Sequence, residues 1–363
     1  MLRAALIGLP TSGRTSLFQL MTSAKEGAHG THARAEAQMG VARVPDDRLD
    51  RLTALFRPRK RVPATVELAD YAGTAGGVQA LVDVAAFRNA DALLHVIRAF
   101  RDPSVPPPRE TIDPPRDAQA IEDELILADL GIAERRLERL ARDLKKGRSP
   151  DLERERDVLT RCRAALEEGM PLRALELASD DLKRLRGLQF LSAKPLLLVI
   201  NLDEADLGRA ADPGQAARHS GLSGFLARAA TRAVAVCARI ELEIAELEPP
   251  DAAAFLADLG LTESGLDRVI RASYDLLGYI SFFTVGEDEC RAWSIPRGTP
   301  AQAAAGEIHS DIARGFIRAE VVACEPLLER GSLAACREHA EVRLEGKDYV
   351  VQDGDVINFR FAT

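Results

Sequence analysis

The feature that most constrains the fold is a pair of glycines near the N-terminus, in Gly8-Leu9-Pro10-Thr11-Ser12-Gly13-Arg14-Thr15. The apolar run from Leu2 to Leu9 predicts a buried strand, and the pattern from Thr15 to Ser23 predicts a helix. In such a strand–loop–helix frame, the backbone N–H groups and the helix N-terminus bind phosphate. The segment therefore predicts a phosphate-binding loop, and a plain strand–turn–helix with two glycines is the alternative.

One position of this loop departs from the usual pattern. Lysine and then serine or threonine normally follow the second glycine, whereas this chain has Arg14 and Thr15. Thr15 keeps the hydroxyl that ligates Mg²⁺, but the planar guanidinium of Arg14 is bulkier than an ammonium and places its donors differently. We expect binding to persist and hydrolysis to slow, because lost charge stabilisation typically costs about 10²–10³ in rate.

A second strand ends in groups suited to magnesium and to a γ-phosphate. The alternating run from Thr65 to Tyr71 predicts this strand, and Ala72 and Gly73 follow it. In phosphate-loop proteins an aspartate here, Asp70 in this chain, holds Mg²⁺ through water, and the glycine contacts the γ-phosphate. An aspartate after a strand is by itself more often a helix cap.

Two later strands end in groups suited to a nucleotide base. The apolar run from Pro195 to Asn201 places Asn201 and Glu204 where a base-reading pair belongs. The next predicted strand ends at Cys237 and Ala238, where a backbone N–H can contact the base. Ligands bind at the carboxyl ends of parallel strands in open sheets. The ordered set of segments therefore predicts a nucleotide site at that edge.

The rest of the chain predicts a helical insert and a separate C-terminal domain. Helical patterns follow a proline-rich loop and are broken at Lys146–Pro150, which predicts two antiparallel helices. Glycine turns between strand patterns predict a small α+β domain at the C-terminus. The expected boundaries are 1–117 with 192–278 for the nucleotide-binding domain, 118–191 for the insert and 279–363 for the C-terminal domain.

Composition excludes several classes of protein. The formal net charge of −8 argues against non-specific binding to nucleic acid as the main activity. Five widely spaced cysteines with no Cys-x-x-Cys pair argue against a disulfide framework or a zinc site. No apolar run approaches the ~18–20 residues that span a bilayer, and the apolar N-terminus is too short for a signal peptide. We therefore expect a cytoplasmic protein without a membrane partner.

With these motifs in place, the chain resembles the YchF (Obg-like ATPase) family of TRAFAC GTPase-related proteins over nearly its whole length. The segments that carry the resemblance are GLPTSGRTSLF at Gly8, VPDDRLDRL at Val44, DYAG at Asp70, NADALLHVIRAF at Asn89, NLDE at Asn201, CARIELEIAEL at Cys237, GLDRVIRASYDLLG at Gly265, RAWSIPRGT at Arg291, GEIHSDIARGFIRAEV at Gly306 and EGKDYVVQDGDVINFRF at Glu345.

The resemblance implies an α/β fold with a Ras-like P-loop NTPase domain, an inserted helical hairpin (coiled-coil) domain and a C-terminal ubiquitin-like β-grasp TGS domain. It implies ATP or GTP with Mg²⁺ as ligands, and association with ribosomes. The family replaces the usual Asn-Lys-x-Asp by Asn-x-x-Glu, here Asn201 and Glu204, and the longer glutamate weakens discrimination for guanine.

The expected ligand-binding residues follow from the motifs and the resemblance together, and no catalytic residue is assigned. The nucleotide-binding set is Gly8, Pro10, Thr11, Ser12, Gly13, Arg14, Thr15, Ser16, Gly73, Asn201, Glu204, Cys237 and Ala238, and the metal-binding set is Thr15 and Asp70.

Both switch segments of the family also differ here. The stretch from Ala24 to Met39 lacks the usual threonine run, although Thr31 lies nearby, and the long second switch is reduced to Thr74–Gly77. Together with Arg14, these changes predict a divergent member with weak or absent hydrolysis. The competing hypothesis is a pseudo-NTPase adaptor that binds no nucleotide and acts through its helical arm and TGS domain.

A basic stripe in the insert is a candidate contact for RNA. Its members recur at helical spacing and are Arg135, Arg139, Arg142 and Lys146. Such a stripe predicts an arm that contacts ribosomal or other RNA through phosphates. A solvated helix face, balanced by neighbouring acidic residues, is the alternative.

Overall fold

The computed structural model describes residues 2–22, 38–70, 87–107, 109–147, 149–209 and 211–362. The chain divides into two compact units. The first unit comprises Met1–Val41 and Glu67–Leu276, and the second comprises Ala42–Val66 and Leu277–Thr363. Each unit is described by itself.

The described strands are β1 (Arg3–Ile7), β2 (Gln38–Arg43), β3 (Lys60–Val62), β4 (Thr65–Asp70), β5 (Ala92–Ala99), β6 (Leu196–Leu202), β7 (Thr231–Val236), β8 (Tyr279–Val285), β9 (Glu289–Pro296), β10 (Phe316–Ala323), β11 (Arg343–Glu345) and β12 (Asp355–Phe361).

The described helices are α1 (Arg14–Thr22), α2 (Asp47–Phe56), α3 (Pro114–Lys146), α4 (Pro150–Glu167), α5 (Ser179–Leu185), α6 (Pro213–His219), α7 (Ser223–Leu226), α8 (Ala238–Glu246), α9 (Pro249–Asp258), α10 (Gly265–Leu276), α11 (Ala301–Ile308), α12 (Ser310–Arg314), α13 (Cys324–Arg330) and α14 (Leu333–Glu338). Short 3₁₀ segments lie at Leu172–Ala174, Arg186–Leu188 and Glu204–Arg209.

The first unit is built on a sheet with strand order β2-β4-β1-β5-β6-β7. Strands β4, β1, β5, β6 and β7 run parallel. Strands β5 and β6 are buried along almost their whole length, as their continuous apolar sequences predict for a sheet covered on both faces. The carboxyl ends of the parallel strands therefore lie together at one edge, which is where the sequence predicts the ligand.

The helical insert forms the predicted hairpin. Helix α3 begins after Asp113, whose side chain accepts a hydrogen bond from the backbone N–H of Arg116. It ends at Lys146, and α4 begins at Pro150, which confirms the break predicted from the sequence. The two helices pack through buried residues that include Leu140, Leu159 and Cys162. The burial of apolar side chains between α3 and α4 thus stabilises the hairpin.

Buried charges join the base of this insert to the parallel sheet. Glu122 on α3 contacts Arg173 at 2.6 Å and Arg228 at 2.8 Å, and the side chains of Glu122 and Arg173 are almost completely buried. Asp129 on α3 accepts hydrogen bonds from the backbone N–H groups of Leu191 and Ser192 at 2.9 and 2.7 Å. These contacts satisfy carboxylates that would be costly to bury alone.

The second unit contains a sheet with strand order β11-β10-β12-β8-β9-β3. Neighbouring strands β10 and β12 are antiparallel, whereas β12 and β8 are parallel. Strand β3 joins the sheet parallel to β9. Helix α11 supplies Ala301, Ala304 and Ala305 to a core that contains Phe282 and Ile357. A mixed sheet covered by a helix is the arrangement expected of the predicted β-grasp domain.

Residues 42–66 form one compact unit with residues 277–363, whereas the boundaries predicted from the sequence assign residues 42–66 to the nucleotide-binding domain. Arg48 on α2 contacts Asp353 at 2.8 Å, and Arg51 contacts Glu325 at 2.8 Å. The boundaries at residues 117, 191 and 278 between the nucleotide-binding domain, the insert and the C-terminal domain stay predictions. None of the helices in the described ranges is long and apolar enough to span a membrane.

Candidate functional site

Two glycines shape the phosphate loop between β1 and α1. Gly8 has a φ of +153°, and a Cβ there would lie 2.5 Å from the carbonyl oxygen of Val96. Gly13 has a φ of +91°, and a Cβ there would collide with the side-chain amide of Asn201. Both positions therefore require glycine, for conformation and for space. The positive φ angles and the close approaches at Gly8 and Gly13 explain the spacing of the two glycines in the sequence.

Between the glycines, Thr11 adopts the left-handed conformation, with a φ of +62°. Such a backbone is unfavourable for a residue other than glycine. Arg98, at the end of β5, donates hydrogen bonds from Nη1 to the carbonyl oxygen and the hydroxyl oxygen of Thr11, at 3.2 and 3.1 Å. Its Nη2 donates to the carbonyl oxygen of Val105 at 2.5 Å, and its guanidinium lies over the ring of Phe100. Arg98 thus connects the phosphate loop to the loop that follows β5.

At the other end of the loop, Arg14 and Thr15 both contact Asp70. The hydroxyl of Thr15 donates a hydrogen bond to Oδ2 of Asp70 at 2.9 Å. The Nε of Arg14 lies 2.6 Å from Oδ1 of the same carboxylate, and its Nη1 donates to the carbonyl oxygen of Gly8 at 3.3 Å. Asp70 is 3% exposed. Thr15 and Asp70, the predicted metal-binding residues, are therefore hydrogen-bonded to each other, and Arg14 forms an ion pair with Asp70.

Asn201, at the end of β6, ties two parts of the site together. Its Nδ2 donates to the carbonyl oxygen of Ser12 at 3.0 Å, and its Oδ1 accepts from the backbone N–H of Ala238 at 3.0 Å. The residue is 2% exposed. Asn201 thus fixes the phosphate loop relative to the start of α8. Its reading of a base remains a prediction.

These segments surround a cavity of about 520 Å³, which is within the usual range for small-ligand sites. The lining combines polar residues of the loop with apolar side chains, including Phe100 and Leu242. The lining residues are Leu9, Pro10, Thr11, Ser12, Gly13, Arg14, Thr15, Ser16, Phe100, Arg101, Asp102, Val105, Asn201, Leu202, Asp203, Glu204, Cys237, Ala238, Arg239 and Leu242.

Buried polar atoms without hydrogen-bond partners are concentrated here. Within the described part of the chain six such side-chain atoms occur, and three of them are Ser12 Oγ, Arg14 Nε and Asp70 Oδ1. Arg14 Nε and Asp70 Oδ1 are close enough to form an ion pair, but the N–H is not directed at the oxygen. Ser12 Oγ is therefore the buried donor of this site without a partner among the described residues, and because such a donor is costly it favours a polar ligand beside the loop.

The residues fit a phosphate better than they fit magnesium. Ser12 Oγ and the guanidinium of Arg14 are donors, as phosphate oxygens require. Thr15 and Asp70 offer oxygen atoms of the kind Mg²⁺ prefers, but the cation already at Asp70 is the guanidinium. No cluster of three or more His, Cys, Asp or Glu side chains suited to a metal occurs in the described ranges.

The structure brings together almost all of the residues predicted from the sequence. Gly8 shapes the loop and Asp70 contacts it, while the other described members of the predicted set line the cavity. Cys237 is buried, and burial raises the pKa of its thiol, so its backbone rather than its sulfur is suited to a ligand. Gly73 and Thr74–Gly77 lie outside the described residues, as does Ala24–Met39 apart from its last two positions.

Arg98 is a site residue that the sequence alone did not identify. A cation inside the apolar strand ALLHVIRA is an available signal, because a buried arginine needs acceptors. Burial lowers the pKa of the Arg98 guanidinium, against the opposite effect of the charges on Asp102 and Asp203. The strand pattern does not reveal which loops supply the oxygen atoms that accept hydrogen bonds from Arg98.

The basic stripe of the insert lies on the exposed face of α3. Arg135, Arg139, Arg142 and Lys146 are all exposed. Lys146 lies 3.4 Å from Asp143, whereas the three arginines form no ion pair within 4 Å with a described residue. The stripe is therefore available to a partner, and an RNA contact remains a prediction.

Comparison with known proteins gives the family. A family model described as "YchF-GTPase_C: Protein of unknown function (DUF933)" matches residues 279–362. The chain is 42% identical to the "Ribosome-binding ATPase YchF" of Bacillus subtilis (strain 168), over 99% of this chain and 99% of that protein. It is 36% identical to the protein of the same name from Escherichia coli O157:H7, with the same coverage of both. The chain belongs to the YchF family.

A solved structure extends the likeness to the fold. The Schizosaccharomyces pombe YchF GTPase matches with a TM-score of 0.82 and 26% identity, over 99% of this chain and 97% of that chain. The family and the fold class predicted from the motifs are thereby confirmed: a P-loop NTPase fold with a helical domain and a C-terminal domain. This YchF-family chain keeps the frame of the site and carries arginine in place of the loop lysine.

Proposed function

We propose that this YchF-family chain binds ATP or GTP in the cavity beside the phosphate loop and hydrolyses it slowly at best. The observation that carries the proposal is the buried hydroxyl of Ser12, which has no hydrogen-bond partner among the described residues, beside a loop whose two glycines are sterically required. A phosphate chain supplies an acceptor for this hydroxyl and for the N–H groups of Arg14 that contact neither Asp70 nor Gly8.

The base is expected to contact the part of the cavity lining that Glu204 and Ala238 supply. Glu204 is exposed there, and the backbone N–H of Ala238 is held in place by Asn201. Apolar walls formed by Phe100 and Leu242 suit a flat aromatic base. Relatives named as ATPases and a structure named as a GTPase support a purine nucleotide.

Slow hydrolysis follows from the position of the loop arginine. Arg14 is engaged with Asp70 and with the Gly8 carbonyl, so its charge is not free to follow a phosphoryl group as that group is transferred. Preorganised positive charge at the transferred group is the main contribution of the protein to phosphoryl transfer. The changes in both switch segments support the same conclusion from the sequence.

The proposed partner is the ribosome, which places the chain in the cytoplasm. The relatives named as ribosome-binding ATPases support this partner, and they are similar over their full length. The exposed stripe Arg135, Arg139, Arg142 and Lys146 offers the positive charge that RNA phosphates require. The TGS domain at residues 279–363 is the second candidate contact.

Calorimetry tests the proposal directly. We expect ATP, GTP or their diphosphates to bind with measurable heat, and hydrolysis to be slower in the native chain than in Arg14→Lys. No heat with any of these nucleotides at millimolar concentration would favour the competing function, a pseudo-NTPase adaptor. If nucleotide binds but Arg14→Lys does not speed hydrolysis, the altered switch segments rather than the arginine limit turnover.

A further inference from the structure

Both oxygens of the predicted metal ligand are already in contact with neighbouring groups. Oδ2 of Asp70 accepts a hydrogen bond from the Thr15 hydroxyl at 2.9 Å, and Oδ1 lies 2.6 Å from Nε of Arg14. The carboxylate is 4% exposed and the arginine side chain is 15% exposed, so water screens this pair weakly. The carboxylate and the guanidinium neutralise each other before any ligand arrives.

The ion pair between Arg14 and Asp70 disfavours the binding of a second cation, such as Mg²⁺, at Asp70. A magnesium ion held by Asp70 and Thr15 would lie beside the guanidinium, and like charges in a poorly screened site repel strongly. To admit the metal, Arg14 would have to leave Asp70 and lose its ion pair. A lysine at this position, as in the usual loop, carries no planar donor group to bridge the aspartate and the loop.

The guanidinium is also placed to reach a phosphate. Its Nη1 contacts the carbonyl oxygen of Gly8, so the group extends from Asp70 to the phosphate loop. Among the described residues this is its only hydrogen bond, which leaves most of its five N–H groups free for oxygen acceptors. Arginine binds phosphate through two parallel hydrogen bonds where geometry allows.

We infer that Arg14 takes the place of magnesium in this site, so that the nucleotide is bound without a divalent metal. The inference rests on the proposed nucleotide binding and names the group that donates hydrogen bonds to the phosphates where magnesium would otherwise bind. The residue that weakens hydrolysis would thus be the residue that retains binding in the absence of the metal.

The test compares nucleotide affinity with magnesium and with EDTA. Titration calorimetry of the native chain with ADP and with a non-hydrolysable ATP analogue should give dissociation constants that differ less than about threefold between the two conditions. In Arg14→Lys, magnesium should tighten binding at least about tenfold. The control is Arg232→Lys, an exposed arginine on β7 outside the cavity, which should behave like the native chain.

The outcomes separate this inference from the proposed function. Binding by the native chain that weakens about tenfold or more in EDTA would overturn the inference and leave nucleotide binding standing. Equal insensitivity to magnesium in the native chain and in Arg14→Lys would show that Arg14 is not the substitute. No binding in either condition would remove both proposals. The native-chain comparison needs no variant, so it holds even if Arg14→Lys folds poorly.

Discussion

Arg98 donates two hydrogen bonds to Thr11, one to its carbonyl oxygen and one to its hydroxyl oxygen, and Thr11 is the non-glycine residue of the phosphate loop with a positive φ. A left-handed backbone costs such a residue about 1–2 kcal/mol, so the conformation needs contacts that hold it. Arg98 supplies them from the strand beside the loop. The shape of the phosphate loop therefore depends on a residue that contacts its backbone from β5.

Replacing Arg98 with alanine should weaken nucleotide binding by roughly tenfold, because the loop loses the contacts that fix Thr11. Arg98→Lys should recover little, since an ammonium cannot donate to Thr11 and to Val105 in the same planar arrangement. Titration calorimetry with ADP measures the effect. Arg232→Ala, at an exposed arginine of β7, is the matched control and should bind as the native chain does.

Thr11→Gly tests whether the contact acts through the backbone. Glycine adopts a positive φ without the steric cost, so the loop should need Arg98 less. In a double-mutant cycle, Arg98→Ala should weaken ADP binding less in the Thr11→Gly background than in the native background. Equal losses in both backgrounds would mean that Arg98 acts in some way other than by holding Thr11.

Gly13→Ala should destabilise the first unit by about 1–3 kcal/mol and weaken nucleotide binding by at least tenfold. The added methyl group would collide with the side-chain amide of Asn201, and that amide bonds to Ser12 and Ala238. Urea denaturation and ADP titration measure the two effects. Gly187→Ala is the control, because a Cβ there meets nothing within 4 Å. A tolerated Gly13→Ala would contradict the close approach of loop and amide.

His95 on β5 should make stability fall as the solution becomes acidic. Burial, with a smaller contribution from the charge on Arg173, lowers the pKa of His95 from 6.5 to about 3. Below pH 6.5 the unfolded chain binds a proton at this residue that the folded chain does not bind, so each pH unit down to about 3 costs about 1.4 kcal/mol. Above pH 6.5 this residue contributes no such dependence.

Urea midpoints at pH 7 and at about pH 5.5 measure this effect, and His95→Gln should reduce the difference between the two pH values by about 1.4 kcal/mol. His219→Gln, at an exposed histidine, controls for the loss of a histidine in general. An unchanged difference in His95→Gln would show that His95 is protonated in the folded chain.

Arg173→Met should cost about 3 kcal/mol or more in the free energy of unfolding. It leaves the carboxylate of Glu122 almost completely buried with Arg228 as its remaining cation. Glu122→Gln in the same chain should restore part of the loss, because the buried charge is then gone. Arg156→Met removes an exposed ion pair to Asp157 and should cost about 0.5 kcal/mol or less. Equal effects of the two arginine variants would contradict the buried pair.

Local patterns in the sequence predict much of this fold. The run from Thr65 to Tyr71 coincides with β4 to within one residue, and the other strands of the parallel sheet that were predicted are found within one or two residues at each end. Continuous apolar sequence and glycine spacing depend on neighbours along the chain, so they can be interpreted without a structure. The helix break at Lys146–Pro150 is predicted for the same reason.

The contacts that define the site are long-range and could not be predicted in this way. Asp70 and Thr15 are 55 residues apart, and Asn201 lies 189 residues from Ser12. The sequence places Asp70 and Asn201 at the ends of strands, and Ser12 and Thr15 in the phosphate loop, but does not reveal that Arg14 pairs with Asp70. The compact second unit is a similar case, since only tertiary contacts such as that of Arg48 with Asp353 join residues 42–66 to it.

The basic stripe of α3 should bind ribosomes through charge. Replacing its four residues with glutamate should reduce co-sedimentation with ribosomes by at least about tenfold, and the native interaction should weaken steeply with added salt. Three of the four form no ion pair within 4 Å with a described carboxylate, so their guanidinium groups are available to phosphates. The replaced residues are Arg135, Arg139, Arg142 and Lys146.

A charge-matched control distinguishes this stripe from general surface charge. Four exposed basic residues of the first unit outside the stripe, replaced in the same way, should leave co-sedimentation within about twofold of the native chain, because phosphate contacts act within about one Debye length. These residues are Lys183, Arg186, Arg218 and Arg232. If both sets reduce binding equally, the net charge of −8 rather than the stripe governs the interaction. If neither does, the TGS domain becomes the leading candidate for the ribosome contact.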